Sequence, residues 1–118
     1  MTTLYGIPNC DTVKKARKWL DSQSIDYTFH DFRKDGVSQS TIKEWAQSVG
    51  KDVLINKRST TWKQLSDADK KHFEGDTLSA KALASVVANP TLIKRPVLNQ
   101  NDSVLVGFNA DLYKNLID

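Results

Sequence analysis

The chain is nearly devoid of cysteine: Cys10 is the single one among 118 residues. One thiol cannot close an internal disulfide, which excludes a disulfide-stapled secreted scaffold. Long hydrophobic runs are missing as well. No apolar stretch approaches the roughly 18 residues that span a bilayer, so no membrane association is expected. The opening segment, Met1-Thr2-Thr3-Leu4-Tyr5-Gly6, lacks the basic and apolar regions of a secretory leader, and a cytoplasmic location is the expectation. Nor is there a dominant charge. Lys and Arg number 17 against 14 Asp and Glu, a net charge of +3, and the two signs interleave, as in Lys51-Asp52 and Asp67-Ala68-Asp69-Lys70-Lys71. Such a mixture reads as a solvated surface, and nucleic acid is not an expected partner. No repeat, low-complexity stretch or flexible linker interrupts the chain. At this length one domain, 1–118, can bury a real core.

What is present orders itself along the chain. Thr3-Leu4-Tyr5 is β-prone and runs into a tight loop at Gly6-Ile7-Pro8-Asn9. After Cys10 a helix is expected through about Ser22, because Val13, Ala16, Trp19 and Leu20 recur on one helical face. Tyr27-Thr28-Phe29-His30-Asp31-Phe32 alternates as a half-buried strand. Ser40 is placed to cap a helix carrying Ile42, Trp45, Ala46 and Val49, stopped by Gly50. Helical stretches follow at about Thr61–Leu65, Asp67–Phe73 and Ser79–Ala88, the last carrying Leu83, Val86 and Val87 and ended by Asn89-Pro90. Val97-Leu98 and Val104-Leu105-Val106 form a hairpin around Asn99-Gln100-Asn101-Asp102-Ser103, and Asn109 caps a final helix with Leu112, Tyr113, Leu116 and Ile117. The order is β-α-β, a helical block, then β-β-α. A parallel crossover followed by an antiparallel pair requires a mixed α/β sheet. That is a thioredoxin-like core, with a helical insertion at approximately 37–90.

Cys10 precedes the apolar stripe of its helix rather than lying on it, whereas a structural cysteine more often falls on such a stripe. A thiol reacts as its thiolate. At a helix N-terminus the unpaired N–H groups and the positive end of the dipole favour the anion. Lys14 lies one turn on, and Lys15, Arg17 and Lys18 add positive charge nearby. The partner of a Cys-x-x-Cys pair would fall at Val13, so an external thiol, glutathione foremost, must resolve any disulfide formed. One Cys with His30 and His72 gives no metal-ligand spacing, and neither a metal nor a bound cofactor is expected. His30, in an aromatic strand, reads as structural, and Trp19, Trp45 and Trp62 read as packing residues.

Gly6-Ile7-Pro8-Asn9-Cys10, Val13-Lys14-Lys15-Ala16, Arg58-Ser59, Arg95-Pro96 and Val106-Gly107-Phe108-Asn109 together resemble the ArsC/Spx family, essentially end to end. The resemblance is strongest to its YffB-type members, arsenate reductase-related thiol reductases that depend on glutathione. It implies that Cys10 is the nucleophile, that Arg58, Arg95 and Lys14 bind an anion or glutathione, and that Pro96 is the cis-proline of thioredoxin-like sites. Glutathione is the implied co-substrate, glutaredoxin a further partner, and a small oxyanion or a thiol/disulfide the substrate. Two other activities occur in the family: arsenate reduction coupled to glutathione and glutaredoxin, and Spx-like binding of RNA polymerase as a transcriptional adaptor. Arsenate reductases carry a histidine where this chain has Gly6 and a further arginine in the stretch matching 106–109. Their mid-chain arginine falls near Asn56. Spx proteins typically carry the Cys-x-x-Cys pair that Val13 removes here.

Overall fold

The computed structural model describes residues 2–117. Contacts divide the chain into two compact units, one of Met1–Asp35 with Arg95–Asp118 and one of Gly36–Lys94. The first unit contains strand β1 (Thr2–Gly6), helix α1 (Asp11–Ser22), strand β2 (Thr28–Asp31) and the short helix α2 (Phe32–Asp35). The second contains α3 (Gln39–Val49), α4 (Lys51–Leu54), α5 (Thr60–Gln64), α6 (Asp67–Lys71), α7 (Ala80–Ala88) and a 3-10 turn at Pro90–Leu92. The chain returns to the first unit with β3 (Val97–Gln100), β4 (Ser103–Val106) and α8 (Ala110–Ile117).

In the first unit the strands are ordered β2-β1-β3-β4. β1 runs parallel to β2 and antiparallel to β3, and β3 is antiparallel to β4. Helix α1 supplies the crossover that the parallel pair needs, and the arrangement is thioredoxin-like. The register lines up Phe29, Leu4, Leu98 and Leu105 across the sheet. Ala16 and Leu20 of α1 and Tyr113 of α8 complete that core, with Trp19 and Phe108 packed against it. Each fully buried Leu contributes about 1.5–3 kcal/mol relative to exposure. On the alternate register Tyr5 pairs with His30, their rings 4.7 Å apart.

Two local details differ from the sequence pattern. The strand expected over Tyr27–Phe32 covers Thr28–Asp31 only, and Phe32 opens α2. The Asp31 carboxylate ends the strand by accepting the N–H of Arg33 at 2.9 Å, as an N-cap does. In the hairpin, Asn99 and Gln100 pair with Val104 and Ser103 instead of joining the loop. Only Asn101 and Asp102 turn. Asn101 has φ +54°, the backbone that two-residue hairpin loops require and asparagine tolerates.

Four helices of the second unit are started by serine. The hydroxyl oxygens of Ser38, Ser59, Ser66 and Ser79 accept the N–H of Thr41, Trp62, Asp69 and Ala82 at 3.1–3.2 Å. Ser38, not Ser40, therefore caps α3. Ser40 lies within the first turn of that helix, where its hydroxyl is not the group that meets the third N–H. Gly50 stops α3 at φ +90°, its N–H bonded to the Ala46 carbonyl. Helix α4, only four residues, has no counterpart in the sequence pattern; α5 has the expected length but begins one residue earlier, and α6 ends at Lys71 rather than Phe73. Ile42 and Trp45 of α3, Ala82, Leu83 and Val86 of α7, and Leu54, Phe73, Leu78 and Ile93 are buried. Val87, expected on the apolar face of α7, is 37% exposed. Trp62 meets Phe73 edge-on, ring centres 5.1 Å apart.

Candidate active site

The end of β1 and the start of α1 approach too closely for any side chain at position 6. A Cβ on Gly6 would lie 2.7 Å from Cγ2 of Val13. The chain then turns at Ile7–Cys10, where the Cys10 N–H donates to the Ile7 carbonyl at 3.1 Å and Pro8 and Asn9 are exposed. Cys10 occupies the N-cap of α1 with extended backbone, φ −83° and ψ 127°. Its carbonyl accepts the first helical bond, from the Lys14 N–H at 2.9 Å. The Cys10 side chain makes no capping bond as a thiol. Its thiolate is another matter. Burial pushes the thiol pKa up, but the N–H of Val13, a hydrogen bond from Arg95, the N–H of Thr12 and the charge of Arg95 together outweigh burial and hold it below its ordinary value. Cys10 is half-buried and free.

Arg95 is the residue that precedes β3, and its bond to Pro96 is cis. The Pro96 carbonyl accepts the Gly107 N–H at 2.7 Å, and the Gly107 carbonyl accepts the Tyr113 hydroxyl, also at 2.7 Å. The structure thus brings Cys10, Arg95 and Pro96 into the same unit, with Arg95 on the sulfur. The Lys14 side chain is exposed, and the cation that acts on Cys10 is Arg95. Arg17 differs from expectation. Its guanidinium lies 4.1 Å over the Phe29 ring and its Nε donates to the Tyr27 hydroxyl at 3.2 Å, a cation–π clasp on β2. That contact, ten residues downstream, leaves no local periodic signal. The link from Tyr113 through Gly107 to Pro96 also escaped the sequence reading, although glycine just ahead of the capping Asn109 marks a special turn there.

Arg58 belongs to the second unit. Its N–H donates to Oδ1 of Asn56 at 3.1 Å, and its exposed side chain lines an open depression with Asn56, Lys57 and Lys94. Lys57 also lies 5.5 Å over the Trp62 ring. Among the described residues no three His, Cys, Asp or Glu side chains gather as a metal site, and no helix is long and apolar enough to cross a membrane.

Cys10 at a helix start and Arg95 before the cis Pro96 are among the residues on which the family resemblance rests. Residues 5–116 match the ArsC family. The chain belongs to that family. An uncharacterized protein of Haemophilus influenzae is 46% identical over 114 residues, covering 97% of this chain and 96% of that protein. The global transcriptional regulator Spx of Staphylococcus aureus is 31% identical over 114 residues, covering 94% of this chain and 82% of Spx. A solved structure named YffB superposes with a TM-score of 0.87 at 39% identity, over 98% of this chain and 97% of that one. This ArsC-family protein is thus arsenate reductase-related by descent.

Proposed function

We propose that this protein is a single-cysteine thiol oxidoreductase that uses glutathione. The observation that carries the reading is Cys10 at the N-cap of α1 with Arg95 hydrogen-bonded to its sulfur, in a chain with no second cysteine. The Cys10 thiolate attacks the glutathione sulfur of a mixed disulfide, releasing the substrate thiolate, which takes a proton from water. The Cys10–glutathione disulfide is then attacked by the thiolate of a second glutathione. Oxidised glutathione leaves and Cys10 returns as thiolate. The substrate disulfide gains two electrons, and the two glutathiones end as one disulfide. Arg95 offers a planar pair of donors to a glutathione carboxylate as well as its charge to the sulfur. Lys14 contributes long-range positive charge at the mouth of the helix. Arg58, in its depression with Lys57 and Lys94, is proposed as an anion-binding residue of the second unit. Glutaredoxin is the alternative resolving thiol, and the cytoplasm, where glutathione keeps thiols reduced, is the proposed location.

The test is mass spectrometry of the reduced protein after exposure to oxidised glutathione, followed by turnover of a glutathionylated peptide with reduced glutathione. A Cys10 adduct that reduced glutathione removes, absent in Cys10→Ser, is expected. A protein that takes up no glutathione and turns over no peptide overturns the reading.

Arsenate reduction is the second activity, favoured by family membership. Position 6 has no room for a side chain beside Val13, and 106–109 contain no arginine, so Arg95 is the oxyanion donor on Cys10 within the first unit. Arsenate with glutathione and glutaredoxin is therefore expected to turn over poorly. The identity to Spx favours one non-enzymatic reading, an adaptor on RNA polymerase. Recovery of polymerase subunits with the tagged protein, together with a silent thiol, would replace the enzyme reading with that one.

A further inference from the structure

Arg95 meets Cys10 from the segment that leads into β3, so whatever fixes that segment fixes the guanidinium. The chain of bonds can be followed outward. Pro96, the next residue, gives its carbonyl to the Gly107 N–H at 2.7 Å. Gly107 sits at φ +86°, a backbone open to glycine and strained for other residues, just after β4 ends. Its own carbonyl accepts the Tyr113 hydroxyl at 2.7 Å. Tyr113 is 1% exposed, held edge-on by Phe108 at 5.1 Å and Trp19 at 5.9 Å. Burial raises the pKa of its hydroxyl well above the ordinary value, so it stays protonated and remains a donor. The ring alone would satisfy the core. The hydroxyl does something further: it ties α8 to the turn that holds Pro96.

We infer that Tyr113, acting through Gly107, is a positioning residue that holds Arg95 against the Cys10 thiolate. The inference rests on the reading of Cys10 as a nucleophile assisted by Arg95. Tyr113 touches neither substrate nor sulfur in this scheme. Its effect passes through one side-chain bond, the Gly107 residue, one backbone bond and the covalent step from Pro96 to Arg95. Without the hydroxyl, the Gly107 carbonyl loses its partner, the turn after β4 loosens, and the guanidinium spends less time on the sulfur.

The experiment is the rate of alkylation of the full chain by iodoacetamide as a function of pH, with stability measured in parallel by denaturant. Tyr113→Phe is expected to move the midpoint of the profile upward and slow alkylation at neutral pH by about two- to fivefold, with the limiting rate at high pH unchanged. Gly107→Ala, which strains the second link without touching the core, is expected to move the midpoint in the same direction. Leu116→Ala, on the same helix as Tyr113 and packed on the same core, should lower stability and leave the midpoint in place. Arg95→Ala should raise the midpoint by itself, and Tyr113→Phe added to it should move nothing more. An unmoved midpoint in Tyr113→Phe while Arg95→Ala shifts it overturns the inference alone. An equal shift in Leu116→Ala does so too, by showing a merely structural effect. An unmoved midpoint in Arg95→Ala defeats the underlying reading of Arg95, and the inference with it.

Discussion

The two units begin their helices in the same way and use the result differently. In the second unit Ser38, Ser59, Ser66 and Ser79 stand at N-caps with ψ between 150° and 167°, each hydroxyl oxygen taking an N–H of the first turn. In the first unit Cys10 stands at the N-cap of α1 with comparable extended backbone, yet its thiol takes none. Serine uses the free donors of a helix start to stabilise the helix. Cysteine leaves them available until it loses its proton, and then the N–H groups of Val13 and Thr12 favour the anion. The same backbone arrangement therefore yields stability in one unit and nucleophilicity in the other.

Exchanging the two residue types is the sharpest way to break that comparison. Cys10→Ser is expected to abolish glutathione uptake and alkylation altogether, the largest effect here, while making α1 better capped. Denaturant unfolding at mildly acidic pH should show the serine variant more stable than wild type by about 0.5–1 kcal/mol. The pH dependence has a definite sign. A thiol whose pKa is depressed by folding adds stability that is present above its unfolded pKa and lost as pH falls through the folded one. The advantage of the serine variant should accordingly shrink as pH rises through that window. A serine variant no more stable than wild type at any pH would show that the two caps are not equivalent.

Packing at the site comes next in size. Gly6→Ala presses a methyl against Val13 and should cost about 1–3 kcal/mol, read as a lowered unfolding midpoint. A substitution tolerated without loss would mean that β1 and α1 separate easily, and that Cys10 is less firmly placed than proposed. The smallest effect sharpens the division between units. Ser79→Ala should cost about 1 kcal/mol, measured by unfolding, and leave the pH profile of Cys10 alkylation where it was. A shifted profile would mean that the caps of the second unit reach the thiol.

How much of this was legible depends on the length of each pattern. Helix α1 is legible with its bounds because Val13, Ala16 and Leu20 repeat over about two turns, with Gly, Pro and Asn punctuating ahead of them. Four residues cannot show a helical period, so α4 was silent in the sequence. Ser38 and Ser40 are equally good caps by type. What separates them is where the backbone turns, a property of the packed helix. Phe32 fits a strand by composition, and the Asp31 carboxylate overrides it. At the site, the place of Cys10 was readable from its position before the stripe. Arg95 was readable only by resemblance, because it lies 85 residues beyond Cys10. Arg17 looked like part of the positive surroundings of the thiol, and only the folded sheet shows that Phe29 and Tyr27 hold it.

The contact between Gly6 and Val13 also constrains how such a site can change over evolutionary time. Position 6 lies four residues ahead of the thiol, and a side chain gained there is one route by which the surroundings of β1 and α1 could change. That route is closed in one step, because the first methyl meets Val13. It opens only after position 13 has become smaller, a substitution that by itself removes buried volume and adds no side chain at position 6. The order of events matters: the helix must give way before the strand can acquire a side chain.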